Sequence, residues 1–201
     1  RYTTADGLAY NDVTSIAAAP NGDIWAGFSI SSGELCRFDG ESWRIYTERD
    51  GFAVPGAVRT RIGRALACGA DGTVWTTVTW TEGTFLEGVH AVSAVFSYKG
   101  KEWKLRRTFQ ERDIRALAAG SGGKIWAGSV GYAGSKAELL VYDGVSWDAD
   151  MTFPKGAGPG RLKFSPEGAL WACVEEYLDW ENGNKIRGGI YLLDGPAWRN
   201  F

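Results

Sequence analysis

Gly22-Asp23-Ile24-Trp25 returns as Gly72-Thr73-Val74-Trp75, Gly123-Lys124-Ile125-Trp126 and Gly168-Ala169-Leu170-Trp171. The four tryptophans stand 50, 51 and 45 residues apart. A second mark follows each: Asp39-Gly40-Glu41-Ser42-Trp43, Lys99-Gly100-Lys101-Glu102-Trp103, Asp143-Gly144-Val145-Ser146-Trp147 and Asp194-Gly195-Pro196-Ala197-Trp198. Nine residues ahead of each first tryptophan stands an aliphatic: Ile16, Leu66, Leu117 and Leu162. Self-similarity at a fixed period of tens of residues is the signature of a repeat architecture. Eight of the ten tryptophans are positions of this repeat.

Each repeat reads as four strands. A short apolar strand such as 14–19 leads through a Gly turn to the strand carrying the aliphatic-Trp pair. A variable segment leads to a third strand, such as 34–38 or 139–142. An Asp-Gly turn, a strong hairpin signal, then leads to a fourth, such as 43–46. No stretch shows helical periodicity. The inner strands, such as Ala65-Leu66-Ala67-Cys68, lack alternation, as expected where both faces are covered. The pattern predicts an all-β fold: a β-propeller with four blades of four antiparallel strands over about 12–47, 62–107, 113–149 and 160–201. A single domain of 201 residues is expected, either a closed four-bladed ring or part of a larger ring.

Composition agrees. There are 27 aromatic residues and 28 glycines, which excludes disorder and suits strands joined by Gly turns. A net charge of −2 excludes a nucleic-acid coat or a polybasic membrane anchor, and no apolar run spans a bilayer. Cys36, Cys68 and Cys173 are an odd number at unrelated spacings, so they read as small buried residues rather than as disulfides or metal ligands. The chain opens at Arg1 without an initiator methionine, which points to a removed leader or a longer parent chain. Arg1-Tyr2-Thr3 and Arg199-Asn200-Phe201 both match Ile45-Tyr46-Thr47, so the first residues read as the tail of a preceding blade.

The run Tyr2-Thr3-Thr4-Ala5-Asp6-Gly7-Leu8, with Val13, Ile16, Asn21-Gly22-Asp23-Ile24-Trp25 and Arg37-Phe38-Asp39-Gly40, resembles the two-component-regulator propeller repeat. That resemblance implies a bacterial, extracytoplasmic (periplasmic or secreted) sensor domain. It is closest in the first repeat. Repeats two and four carry insertions, and the fourth lacks the Asp-Gly-Leu lead-in. The Gly-x-Ile-Trp strand is also similar to one in streptogramin lyase, a propeller enzyme.

Candidate sites follow from connection length. Tight turns join strands one to two and three to four, all on one edge. The long connections lie on the other: 28–33, 79–90, 130–136 and 175–188 within blades, and 47–61, 108–112 and 150–160 between them. Long loops on one face of a rigid scaffold carry binding function. Trp80 and Trp180 fall outside the repeat, in these insertions, beside Glu82, Tyr177 and Asp179. An aromatic ring beside carboxylates suits stacking on a sugar while binding its hydroxyls. Eleven residues before the repeat tryptophans stand Thr14, Arg64, Arg115 and Gly160, with Arg161 one step on. Arginines there suit a carboxylate or sulfate, or pair with Glu111 or Asp113. The expected site joins the two insertions over the channel mouth. His90 is the sole histidine and nothing assigns it a partner.

The expected function is therefore ligand recognition without catalysis, the ligand a saccharide or acidic small molecule. The alternatives are a lyase with His90 as base and a scaffold for a protein partner. No cofactor, metal, nucleic acid or membrane insertion is expected, and self-association follows if one chain does not close the ring.

Overall fold

The structure is a computed structural model describing residues 1–28, 33–54, 57, 60–82, 90–131, 136–153, 158–174, 177–178, 185–186, 188–195 and 197–201. It is all-β: four four-stranded antiparallel sheets, the blades of a β-propeller. Blade 1 holds β1 (Val13–Ala18), β2 (Ile24–Phe28), β3 (Leu35–Phe38) and β4 (Trp43–Tyr46). Blade 2 holds β5 (Arg61–Cys68), β6 (Val74–Glu82), β7 (His90–Tyr98) and β8 (Trp103–Phe109). Blade 3 holds β9 (Arg112–Ala119), β10 (Ile125–Gly131), β11 (Glu138–Tyr142) and β12 (Trp147–Thr152). Blade 4 holds β13 (Pro159–Phe164), β14 (Leu170–Val174), β17 (Gly189–Asp194) and β18 (Ala197–Asn200). A two-stranded hairpin, β15 (Tyr177–Leu178) with β16 (Lys185–Ile186), is inserted between β14 and β17. Among the described residues, helical structure is confined to three short 3-10 turns. The chain forms two compact units, Arg1–Glu111 with blades 1 and 2, and Arg112–Phe201 with blades 3 and 4.

Hairpin chemistry explains the registers. In the Asp39-Gly40 turn the carboxylate accepts the N–H groups of Glu41 and Ser42 at 3.0 and 2.9 Å. Asp143 does the same for Val145 and Ser146 at 2.8 and 2.9 Å. Gly40 and Gly144 then take φ of 104° and 108°, a region that side chains disfavour. These N–H bonds hold both carboxyls below their usual range.

The first unit shows how one blade covers the next. Residues paired across strands share a face. Ala17, Trp25, Leu35 and Tyr46 share one side of blade 1, and Ser15 on that side donates to the Gly63 carbonyl of blade 2. Trp25 and Tyr46 meet Tyr98 and Trp103 of blade 2 at centroid distances between 5.5 and 6.1 Å. Backbones touch at the centre of this joint, where a Cβ on Gly27 would stand 1.9 Å from the Gly63 carbonyl oxygen. In the second unit a Cβ on Gly128 would stand 2.2 Å from Pro159 Cγ. In blades 1 and 3 the glycine two residues after the repeat tryptophan lets the following blade approach.

The segment after the outer strand of blade 1 reaches over blade 2. Thr47 and Asp50 cap a 3-10 turn that ends at Gly51, and Phe52 then packs on Trp103 at 4.4 Å. Thr3, Asp6 and Gly7 build the same capped turn, and Leu8 is buried against the sheet of blade 1. The opening residues therefore do for blade 1 what the tail of blade 1 does for blade 2.

Some expectations need correction. The connection expected over 79–90 is shorter than that: β6 and β7 pair through Glu82↔His90, leaving 83–89 between them. The connection over 108–112 is a two-residue turn, because β8 runs to Phe109 and β9 begins at Arg112. Of the cysteines, Cys36 is buried, Cys68 half-buried and Cys173 exposed, so burial does not describe all three. Burial pushes the Cys68 thiol up to about 12.

Asp71, in the turn between β5 and β6, accepts from Lys99 Nζ at 2.8 Å and from the Thr73 hydroxyl at 2.7 Å. The lysine bond first, then the threonine bonds, hold its carboxyl down to about 2. A carboxyl depressed in the folded state contributes stability above its unfolded pKa and loses it as pH falls through the folded value. The stability difference between wild type and Asp71→Asn is therefore expected at neutral pH and should shrink between about pH 4 and about pH 2. Both side chains are mostly exposed, so the difference is small. Melting curves of both proteins across that range check it; a difference independent of pH would refute it.

Candidate functional site

A β-bulge recurs in the innermost strand of every blade. The register slips between Val13 and Ser15, between Ile62 and Leu66, between Ile114 and Ala116, and between Pro159 and Arg161. Thr14, Arg64, Arg115 and Gly160 are residues of these bulges. The spacing of eleven before each tryptophan thus has a backbone cause. A bulge leaves its residue out of the ladder and re-aims its side chain, and bulges gather beside functional sites. In blade 2 threonines take up the loosened backbone: Thr77 Oγ1 accepts the Ala65 N–H at 3.2 Å, and the Thr76 hydroxyl donates to the Ala65 carbonyl at 3.1 Å. Arg64 is half-buried beside them.

Within the first unit, the extended β6–β7 hairpin carries the other candidates. Trp80 is 5% exposed and packs in the cluster of Leu35, Val78 and Val92. Its indole N–H donates to Glu82 Oε1 at 2.8 Å. The expectation of an overhanging ring open for stacking does not match this placement, because the insertion lengthens the sheet and carries Trp80 into the core. Glu82 remains exposed at the hairpin end, opposite half-buried His90. His90 Nδ1 is buried and finds no hydrogen-bond partner among the described residues.

In the second unit, two acid–arginine pairs meet at the start of β9. Arg115 Nε donates to buried Asp113 at 2.8 Å, the pairing weighed above as the alternative to a ligand role. Arg112 Nη2 lies 2.5 Å from Glu138. Ser129 fixes Glu138 by accepting its N–H and donating to its carbonyl, both at 3.1 Å. Arg161 stands one residue past the blade 4 bulge, in register with Cys173, and donates to the Gly160 carbonyl at 2.7 Å. It belongs to the sheet face of blade 4 rather than to the bulge series. Tyr177 lies in β15, while Asp179 and Trp180 lie outside the described residues. Sequence reasoning missed Arg112, Glu138 and the threonine pair; the adjacent Arg-Asp at 112–113 was the available signal.

No protein-family model matches the chain, and no curated protein matches it. Solved structures do. A Hadza microbial sialidase superimposes with a TM-score of 0.60 at 11% identity, over 94% of this chain and 46% of its own. The extracellular domain of a Bacteroides thetaiotaomicron protein, described as a one-component system, gives 0.57 at 18% identity over 86% and 22%. A fungal lectin from Aleuria aurantia, a six-bladed β-propeller with fucose recognition, gives 0.56 at 12% identity over 92% and 59%. The chain thus spans less than two thirds of each of these three. At such identities the likeness is one of fold alone. Among the described residues, no helix is long and apolar enough to cross a membrane.

Proposed function

We propose that this chain is a non-catalytic recognition propeller of the sensor type, working outside the cytoplasm, that binds a saccharide or small acidic molecule on its long-connection edge. The bulge series carries the reading: the same backbone irregularity opens each inner strand, and in blades 2 and 3 the residue it re-aims is an arginine. A guanidinium presents donors in a planar fork that matches carboxylate and sulfate, and it suits sugar hydroxyls as well. Buried Asp113 orients Arg115, and the threonine pair braces the backbone at Arg64. Glu82, held by the Trp80 indole, adds an acceptor at the end of blade 2. Trp80 supports this edge from within the core; within blade 4 the proposed ligand contacts are Tyr177, Asp179, Trp180 and Arg161. The sialidase, the lectin and the extracellular domain share this fold, which supports the reading at the level of fold.

The test is a glycan array and a panel of sugar acids, followed by titration of the best ligand. Arg64→Ala and Arg115→Ala are each expected to weaken binding tenfold or more, about 1.4 kcal/mol, with Glu82→Gln weakening it less. Unchanged affinity in all three variants would refute the site. Turnover of any ligand that is lost on His90→Ala would replace this reading with the lyase, and binding confined to a protein partner would replace it with the scaffold.

A further inference from the structure

The outer strand of blade 2 carries cations that the long-connection edge does not use. β8 reads Trp103-Lys104-Leu105-Arg106-Arg107-Thr108-Phe109, and Lys104, Arg106 and Arg107 are exposed. In an unbroken strand Arg106 would share a side with Lys104, and Arg107 would take the opposite one. A β-bulge changes that. Phe96 pairs with Leu105 and Val95 with Arg107, so Arg106 is the extra residue and the alternation is reset after it. Lys104 and Arg107 pair with Ser97 and Val95, two positions apart on β7, and therefore share one face of the sheet. Arg106 joins them there. Its Nε donates to Ser97 at 2.6 Å, and its guanidinium lies 5.6 Å from the ring of Trp75, the partner of Ser97 on β6.

The cluster is anchored. Ser97 is 2% and Trp75 5% exposed, so the groups that hold Arg106 are fixed in the sheet. Arg107 lies over the buried Phe109 ring at 5.2 Å. Guanidiniums held this way lose little freedom when they bond a ligand. Glu102 stands 3.0 Å from Lys104, an exposed pair of little energetic consequence. The fold does not require these charges. β12 of blade 3 has the same bulge, at Asp150, and carries Asp148 and Asp150 where β8 carries Lys104 and Arg106.

We propose that this face of β8 binds an acidic polysaccharide, one with carboxylate or sulfate groups spaced along its chain. From Lys104 to Arg107 the cations extend over about 10 Å of strand, a span that meets successive acid groups of a polymer. Each guanidinium fork matches one such group. A protein strand added to this edge fits less well, because the bulge breaks the ladder it would extend. Leu105, the exposed apolar residue of β8, lies by register on the opposite face. Single-stranded nucleic acid would use open aromatic rings, and Trp75 and Phe109 are buried. None of the residues proposed for the long-connection edge takes part.

The probes are polygalacturonate and dextran sulfate fixed to a sensor surface, with neutral dextran as reference, at about 0.15 M salt to screen distant charges. The 201-residue chain is expected to bind one or both acidic polymers and not neutral dextran. Arg106→Gln and Arg107→Gln are each expected to weaken binding about tenfold, the loss that goes with one bond between charged partners. Lys101→Gln removes the same charge from the preceding turn and is expected to change little. Circular dichroism checks the fold of each variant, and Arg107→Gln decides if Arg106→Gln unfolds. A wild-type chain that binds neither acidic polymer overturns the proposal. Equal losses from Lys101→Gln and Arg107→Gln overturn it too, since they reduce the effect to net charge. A loss on Arg64→Ala with none on Arg107→Gln moves the binding to the other edge and overturns it. Tighter binding to polyglutamate or single-stranded DNA than to either polysaccharide does the same.

Discussion

Gly27→Ala is expected to disrupt the joint between blades 1 and 2. The added methyl would stand 1.9 Å from the Gly63 carbonyl oxygen and 2.7 Å from its carbon, and both belong to backbone. A flexible side chain can swing aside, whereas a strand held in its ladder cannot. Overpacking in cores costs about 1–3 kcal/mol and occasionally more, and the backbone contact puts this case at the upper end. For a unit of about this size each kcal/mol lowers the melting temperature by roughly 4–8 °C, so a fall on the order of 10 °C or more is expected. Gly72→Ala is the matched control. Its φ of 79° disfavours a side chain, but no atom lies within 4 Å of the new Cβ. That substitution is expected to cost about 1–2 kcal/mol. Thermal melts of the two variants separate crowding from backbone strain. If Gly27→Ala melts no lower than Gly72→Ala, the close approach of the blades is wrong.

Trp25→Ala should have the other large effect. The side chain is 1% exposed and touches Tyr46, Tyr98 and Trp103, so truncation opens a cavity that two blades share. Large-to-small changes of this type cost about 3–5 kcal/mol. Trp25→Phe should recover much of that. It loses some volume, yet it also removes an indole N–H that is buried and finds no acceptor among the described residues. An unpaired buried donor carries a desolvation cost of about 1–3 kcal/mol, which the phenylalanine avoids. Denaturant titrations of both variants give the comparison. An alanine variant within about 1 kcal/mol of wild type would show that Trp25 does not hold the joint.

The amino-acid sequence by itself determined the blades. The Gly-x-aliphatic-Trp mark, the Asp-Gly turns and the lead-in Thr-x-x-Asp-Gly act within one hairpin or one turn, and their chemistry is complete in a few residues. Asp39 and Asp143 bond to N–H groups two and three residues on, so the turns were legible and the strands fell near their expected spans. The candidate arginines were legible as a spacing, but the bulge that explains the spacing was not. A bulge is a mismatch between two strands, and one strand's sequence does not display it. Trp80 marks the same boundary. An insertion reads alike whether it loops out or lengthens a hairpin, and only the pairing of Glu82 with His90 decided for the hairpin and put the ring in the core. Burial of the repeat residues was settled last. Trp25 and Tyr46 are buried because blade 2 lies against their face, a contact between residues tens of positions apart that no local pattern encodes.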